Sequence, residues 1–259
     1  MKLEDIIIFE NNNFIVVDKP QGVVSNKSLT QKKSTVAHMA EDYLNLKLPK
    51  TLAKLSDDAK EFYERNGLVH RLDKDTSGVL IIARNPKSYI SLKKVFLKRK
   101  VIKEYHAVVF NDITKFFNGK KTLKINLPIL RSKQDRQKFV VGEGGREAIS
   151  EVNLLNKFEN ATIPNPVALF DSTFFSLIKV FPKTGRTHQI RVHLKAVNCE
   201  ILGDSLYNGR AQKKFNEKQN VRLCLIAKKI SFKAFGKSYT FESKYNQNFR
   251  KIVEVLYKI

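Results

Sequence analysis

The chain has 259 residues and carries 48 Lys and Arg against 25 Asp and Glu, a formal charge of +23 at pH 7. Its 42% hydrophobic content, with 18 Phe, can fill a sizeable core, which excludes a disordered basic tail. No run approaches the roughly 18–20 apolar residues of a membrane span, Glu4 and Asp5 interrupt any signal-peptide start, and a cytoplasmic protein without membrane association is expected.

Cys199 and Cys224 make neither a disulfide framework nor a C-x-x-C pattern and are expected to be reduced core residues. His38, His70, His106, His188 and His193 show no metal-ligand spacing, so no metal is expected. The charge is uneven. Residues 1–66 hold ten basic and ten acidic side chains, so the whole excess lies after residue 66. It gathers in three runs: Lys93, Lys94, Lys98, Arg99, Lys100 and Lys103; Lys115 to Lys138, with Asp135 the sole acid; and Arg210 to Lys237, with Glu217 alone. Any one run reads as a solvated face. Three together fit a polyanion, and nucleic acid is the partner they imply, held by salt-sensitive contacts.

In chain order, Ile and Val over 5–9 and 14–18 flank Asn11-Asn12-Asn13 and predict a hairpin, closed by a turn at Lys19-Pro20-Gln21-Gly22. Ser34 is placed to cap a helix over 35–47, and Ser56 one over 57–65 that Gly67 ends. Residues 68–71 and 78–84 read as extended, and Asn85-Pro86 opens a helix to about 99. Strands follow at 103–110, 122–130, 137–141, 147–158 and 173–182, with a surface excursion over 159–172. Thr187 is placed to cap a helix carrying Ile190, Leu194 and Val197 on one face. Strands at 222–232 and 237–242 and a helix at 247–257 close the chain. Their irregular order disfavours a doubly wound parallel sheet and predicts one α+β domain over residues 1–259.

Three segments mix charge and turn formers beyond what packing requires. In Gly67-Leu68-Val69-His70-Arg71-Leu72-Asp73-Lys74-Asp75-Thr76-Ser77-Gly78, the cations beside Asp73 favour an ionised carboxylate suited to nucleophilic work. From composition alone, an ordinary turn in which Asp73 or Asp75 bonds its own backbone is the favoured alternative. Tyr105, in Lys103-Glu104-Tyr105-His106, is either an ordinary strand tyrosine or a site residue. The third, Lys183-Thr184-Gly185-Arg186-Thr187-His188-Gln189-Ile190-Arg191-Val192-His193-Leu194, is no Walker A loop, because Val180 stands where a glycine is needed. A strand-to-helix turn there could still attract an RNA phosphate.

These segments resemble the RluA-type family of RNA pseudouridine synthases. The family pattern H-R-L-D-x-x-T-S-G is met by His70 through Gly78, Lys103-x-Tyr105 follows, and Gly185 through Leu194 matches the third motif. Lys19-Pro20-Gln21-Gly22, Gly145-Arg146-Glu147-Ala148 and Gly203-Asp204-Ser205-Leu206-Tyr207 extend the likeness over roughly residues 6–235. The resemblance implies a mixed, largely antiparallel central sheet with flanking helices and an RNA-binding catalytic cleft. It implies a cofactor-independent isomerase of uridine in ribosomal or transfer RNA, with Asp73 as nucleophile, Arg191 paired with it, and Tyr105 stacked on the base. Arg71, His70, Leu72, Ile190, Arg186 and His188 would surround the substrate, Arg71 bracing the place the flipped base leaves. Lys93, Lys94, Lys98, Arg99 and Lys100 would bind RNA. With 18 residues before Lys19, an N-terminal S4-like module is not expected, and a monomer is. The alternative is a catalytically silent RNA-binding or ribosome-assembly protein of the same fold.

Overall fold

The structure, a computed structural model, describes residues 1–26, 35–49, 51, 54–159 and 174–258. They form two compact units, Met1–Ile102 with Ala227–Lys244, and Lys103–Ile226 with Tyr245–Ile259.

In the first unit, β1 (Ile7–Glu10) and β2 (Phe14–Lys19) form the expected hairpin. Its turn is shaped by Asn11, whose side-chain oxygen accepts the N–H groups of Asn13 and Phe14, the local competition with strand pairing that makes asparagine a turn residue. β2 pairs antiparallel with β3 (Ser77–Ala83), all seven residues of which are buried, and β3 neighbours β10 (Leu225–Ala234), itself hairpinned to β11 (Lys237–Glu242). A strand covered on both faces needs an unbroken apolar run, which Val79 to Ala83 supplies. Gly78 has φ +116°, and a Cβ there would lie 2.3 Å from the Ala227 carbonyl oxygen, so only glycine lets β3 begin this close to β10. Helices α1 (Val36–Tyr43), α2 (Asp57–Glu64) and α3 (Pro86–Leu97) start at caps from Thr35, Ser56 and Asn85. Phe62, Tyr89 and Leu92 from α2 and α3 join Phe14, Val16 and Ile81 in this unit's core.

The second unit carries an antiparallel run in the order β4 (Ile102–Phe110), β9 (Phe175–Pro182), β8 (Ile149–Phe158), β5 (Leu123–Asn126), with a separate ribbon of β6 (Ile129–Arg131) and β7 (Phe139–Val141). Helices α4 (Gln189–Ala196), α5 (Arg210–Lys218) and α6 (Gln247–Tyr257) complete it. Val108, Ile178, Leu194 and Phe249 centre the core.

Several expectations shift. Thr35 caps α1, while Ser34 and residues 160–172 of the expected excursion lie outside the described residues. Residues 68–71 form no strand, only a bridge from Leu68 to Ile82. The strand expected at 122–130 is two strands broken at Leu127-Pro128, because proline ends ladder pairing. The cap of α4 is His188, in the left-handed region at φ +55°, in place of Thr187. Helix α5 was not expected. Its apolar residues are only Ala211 and Phe215, so the segment looked like a charged surface run, and buried Phe215 and Asn216 are what anchor it. Cys199 and Cys224 are free and buried as expected. Among the described residues no helix is long and apolar enough to cross a membrane, and no cluster of His, Cys, Asp and Glu is suited to a metal.

Candidate active site

The sequence-predicted residues fall into two preformed groups, one in each unit. In the first, Lys19 at the end of β2 is wholly buried. Its ammonium donates to the carbonyls of Pro20 at 3.0 Å, Val23 at 2.7 Å and Lys74 at 3.0 Å. A lysine loses much hydration there, and three oriented carbonyl dipoles replace it. Gly22 N–H also reaches the Lys74 carbonyl (2.9 Å), Gln21 Nε2 the Asp75 carbonyl (3.0 Å), and Ser25 Oγ donates to the Leu72 carbonyl (2.7 Å) while accepting Leu72 N–H (3.1 Å). Residues 72–75 are thus stitched to the Lys-Pro-Gln-Gly turn and to Ser25 just beyond it.

Within that loop Leu72 is buried, Asp73 half-buried and Arg71 exposed. The Asp73 carbonyl accepts Thr76 N–H (3.2 Å), closing the turn through backbone and leaving the carboxylate out of that bond. His70 accepts Ile81 N–H on Nε2 (3.1 Å) and stacks on Phe96, centroids 4.8 Å apart. These contacts tie the loop to β3 and α3.

In the second unit, β4 carries Lys103 and half-buried Tyr105. Burial pushes the Lys103 ammonium below the ordinary lysine range, and its hydrogen bond goes to the Thr184 carbonyl at 3.4 Å. The third motif follows from helix periodicity. Gln189 and His193, four residues apart, share the face of α4 that meets β8. Gln189 Oε1 accepts Thr184 Oγ1–H (2.7 Å) and Arg186 N–H (3.0 Å), while its Nε2 donates to the Ile149 carbonyl and Ser150 Oγ. His193 bridges Ser150 Oγ and the Leu127 carbonyl, both at 3.0 Å. Arg186 Nε donates to the Glu147 carbonyl at 2.8 Å, so at least this edge of the side chain serves the loop.

Arg191 is buried, as is Ile190, and its Nε and Nη2 donate to Asp204 Oδ2 (2.8 Å) and Oδ1 (2.7 Å) in a two-pronged pair. The Tyr207 ring covers the guanidinium at 5.0 Å. Tyr207 Oη accepts Phe139 N–H (2.9 Å) and bonds His188 Nδ1 (2.8 Å). Asp204 and Tyr207 carried no assigned role in the sequence; their signal was the Gly203-Asp204-x-x-Tyr207 match, and only burial reveals their use.

The first basic run divides. Lys93 lies in ion pairs with Asp58 (2.7 Å) and Glu61 that join α3 to α2, and these carboxylates raise its pKa, so its charge is committed within the fold. Lys94, Lys98, Arg99 and Lys100 are exposed on and beyond the end of α3. In the other runs, Lys138 pairs with Asp135, and Lys228 and Lys229 with Glu242.

The family model described as RNA pseudouridylate synthase matches residues 13–196, which include both groups of residues apart from Asp204 and Tyr207. The chain is 35% identical over 233 residues to ribosomal large subunit pseudouridine synthase D of Borreliella burgdorferi, covering 88% of this chain and 63% of that protein. It is 31% identical over 242 residues to ribosomal large subunit pseudouridine synthase C of Rickettsia felis, covering 93% and 67%. The chain therefore spans about two thirds of the length of these curated relatives. Its fold is shared with human RNA pseudouridylate synthase domain containing 4, at TM-score 0.68 and 21% identity, over 98% of this chain and 94% of that one.

Proposed function

The chain belongs to the RNA pseudouridylate synthase family, and from that premise we propose that it isomerises specific uridines in RNA to pseudouridine, with Asp73 as the nucleophile. The observation that carries this reading is that the turn bearing Asp73 is held to buried Lys19 in one unit, and that Arg191 in the other is buried and rigidly held by Asp204, each at the position the resemblance requires.

The reaction breaks the N1–C1′ bond and forms C5–C1′. The Asp73 carboxylate displaces uracil from C1′, or takes the C2′ proton in an elimination to a glycal; the freed uracil turns, and C5 bonds to C1′ as the Asp73 ester bond breaks or as the C2′ proton returns, after which the C5 proton is lost and N1 gains one. No water enters, so one carboxylate suffices where glycoside hydrolysis uses two. The resemblance gives Arg191 the role of orienting that carboxylate. Tyr105 stacks on the base and helps remove the C5 proton. Exposed Arg71 braces the gap left by the flipped nucleotide, and Ile190 packs beneath the uracil. No cofactor takes part. His70, Leu72, Arg186 and His188 shape the walls, and Lys94, Lys98, Arg99 and Lys100 hold RNA phosphates.

Residues 1–259 are proposed to act as one catalytic domain, monomeric and cytoplasmic. The large subunit's ribosomal RNA is the proposed substrate, because the relatives of Borreliella and Rickettsia are named ribosomal large subunit pseudouridine synthases. A transcriptome-wide pseudouridine map comparing the native allele with Asp73→Ala tests this. Loss of discrete ribosomal sites is expected; loss confined to transfer RNA would redirect the substrate, and identical maps would overturn the catalytic reading in favour of a silent RNA-binding protein.

A further inference from the structure

We propose that Asp204 is a positioning residue for the isomerisation, acting through Arg191, with Tyr207 as the second wall of the same clamp; this rests on the reading of Arg191 as the charge that serves the reacting centre.

An arginine side chain has four rotatable bonds and five N–H donors, so a buried guanidinium is useful to catalysis only when something else fixes its direction. Asp204 holds one edge, through Nε and Nη2 at 2.8 and 2.7 Å. That uses two of the five donors and turns the remaining three away from Asp204. The clamp is itself anchored: Asp204 Oδ1 also accepts the N–H groups of Leu206 and Tyr207, both at 3.0 Å, so the carboxylate cannot rotate without breaking its own turn. Gly203 permits this, since at φ +80° a Cβ there would stand 2.1 Å from the Arg222 carbonyl oxygen, which sets the depth at which Asp204 sits. The Tyr207 ring fixes the guanidinium's face at 5.0 Å. Its hydroxyl is pinned by Phe139 N–H and His188 Nδ1, and His188 holds a left-handed backbone at φ +55° to make that contact.

Ion pairing for stability alone would not need this. A buried pair contributes little over an apolar filling, but it does hold direction. Edge, face and carboxylate are each fixed by a different contact within the one turn of residues 204–207, an arrangement suited to a group whose misplacement by about an ångström costs about 100-fold in rate.

The test uses the full-length protein and a uridine-containing RNA that it modifies. Asp204→Asn keeps the shape and removes the charge. It should slow single-turnover isomerisation about 100-fold while RNA affinity changes less than about 3-fold, and Asp204→Glu should recover part of the rate. A wild-type rate in Asp204→Asn would overturn the proposal. Arg191→Met with and without Asp204→Asn covers the case where Asp204→Asn alone does not fold. If Asp204 acts only through Arg191, the second substitution costs no further rate; an added loss of about 10-fold or more would refute it. The Nε–H resonance of Arg191 in ¹⁵N spectra, assigned by its loss in Arg191→Met, reads the clamp without turnover. Its absence from the wild-type protein refutes the clamp, whereas its presence in a protein that forms no pseudouridine refutes the isomerase reading alone.

Discussion

Replacing Lys19 by Met tests whether one buried charge organises the turn that carries Asp73. Met matches the stem of lysine and removes only the ammonium. Three carbonyls, of Pro20, Val23 and Lys74, then lose the charged donor that wholly buried Lys19 brings to them. Hydrogen bonds to a charged group contribute roughly 1.5–3 kcal/mol each, so the gross loss is roughly 5–9 kcal/mol. Removing a buried ammonium relieves a dehydration penalty of several kcal/mol. The difference leaves a destabilisation of roughly 2–4 kcal/mol. At roughly 2–4 °C per kcal/mol for a chain of this size, the melting temperature should fall by roughly 5–15 °C. The damage is also local: the Lys74 carbonyl keeps only Gly22 N–H among these two partners, and Asp73 is its immediate neighbour. Single-turnover isomerisation should therefore fall about 10-fold or more even well below the melting temperature. Urea unfolding and a quenched pseudouridine assay measure the two effects. A Lys19→Met protein within about 1 kcal/mol of wild type that reacts at the wild-type rate would show that the ammonium does not fix the turn.

Further outcomes follow from burial and charge. Burial pushes both Cys199 and Cys224 thiols up to about 12, so the folded protein should not react with a thiol-specific disulfide reagent at pH 8, while both should react in guanidinium; rapid labelling of the folded protein would contradict the core assignment. Burial also lowers the pKa of His193, against the raising effect of its Leu127 carbonyl partner. The unfolded chain then binds the extra proton first, so stability present above about pH 6.5 declines as pH falls below it, by at most about 1.4 kcal/mol per pH unit. Urea titrations of wild type and His193→Gln should differ in slope in that window, and parallel slopes would remove His193 as the cause. Substituting Lys98, Arg99 and Lys100 together by Ala should lower the log–log salt slope of RNA binding by about 2, whereas Lys93→Ala should leave it unchanged, because its charge is spent on Asp58 and Glu61. Equal effects of the two variants would place the RNA elsewhere.

Much of the architecture was legible because it is local. The Asn11–Asn13 turn, the Ser56 and Asn85 caps, and the apolar run of β3 are decided by side chains within a few residues of one another. Helix α5 was not, because its two anchoring residues, Phe215 and Asn216, are defined by what they bury against, and a strongly charged nonapeptide conceals that. The cap of α4 went to His188 for a similar reason: a left-handed histidine is locally unfavourable, and the contact with Tyr207, nineteen residues on, is what holds it.

The sequence by itself determined the family, the nucleophile candidate and the basic character, since motif residues and charge are properties of a string. Tertiary structure alone decided which charges serve the fold and which are left for a partner. Lys19 and Lys93 are both lysines, yet one is buried among carbonyls and the other bridges two helices. Arg191 owes its direction to Asp204, thirteen residues away. Burial and pairing depend on distances between segments remote in the chain, and only the folded arrangement of those segments supplies them.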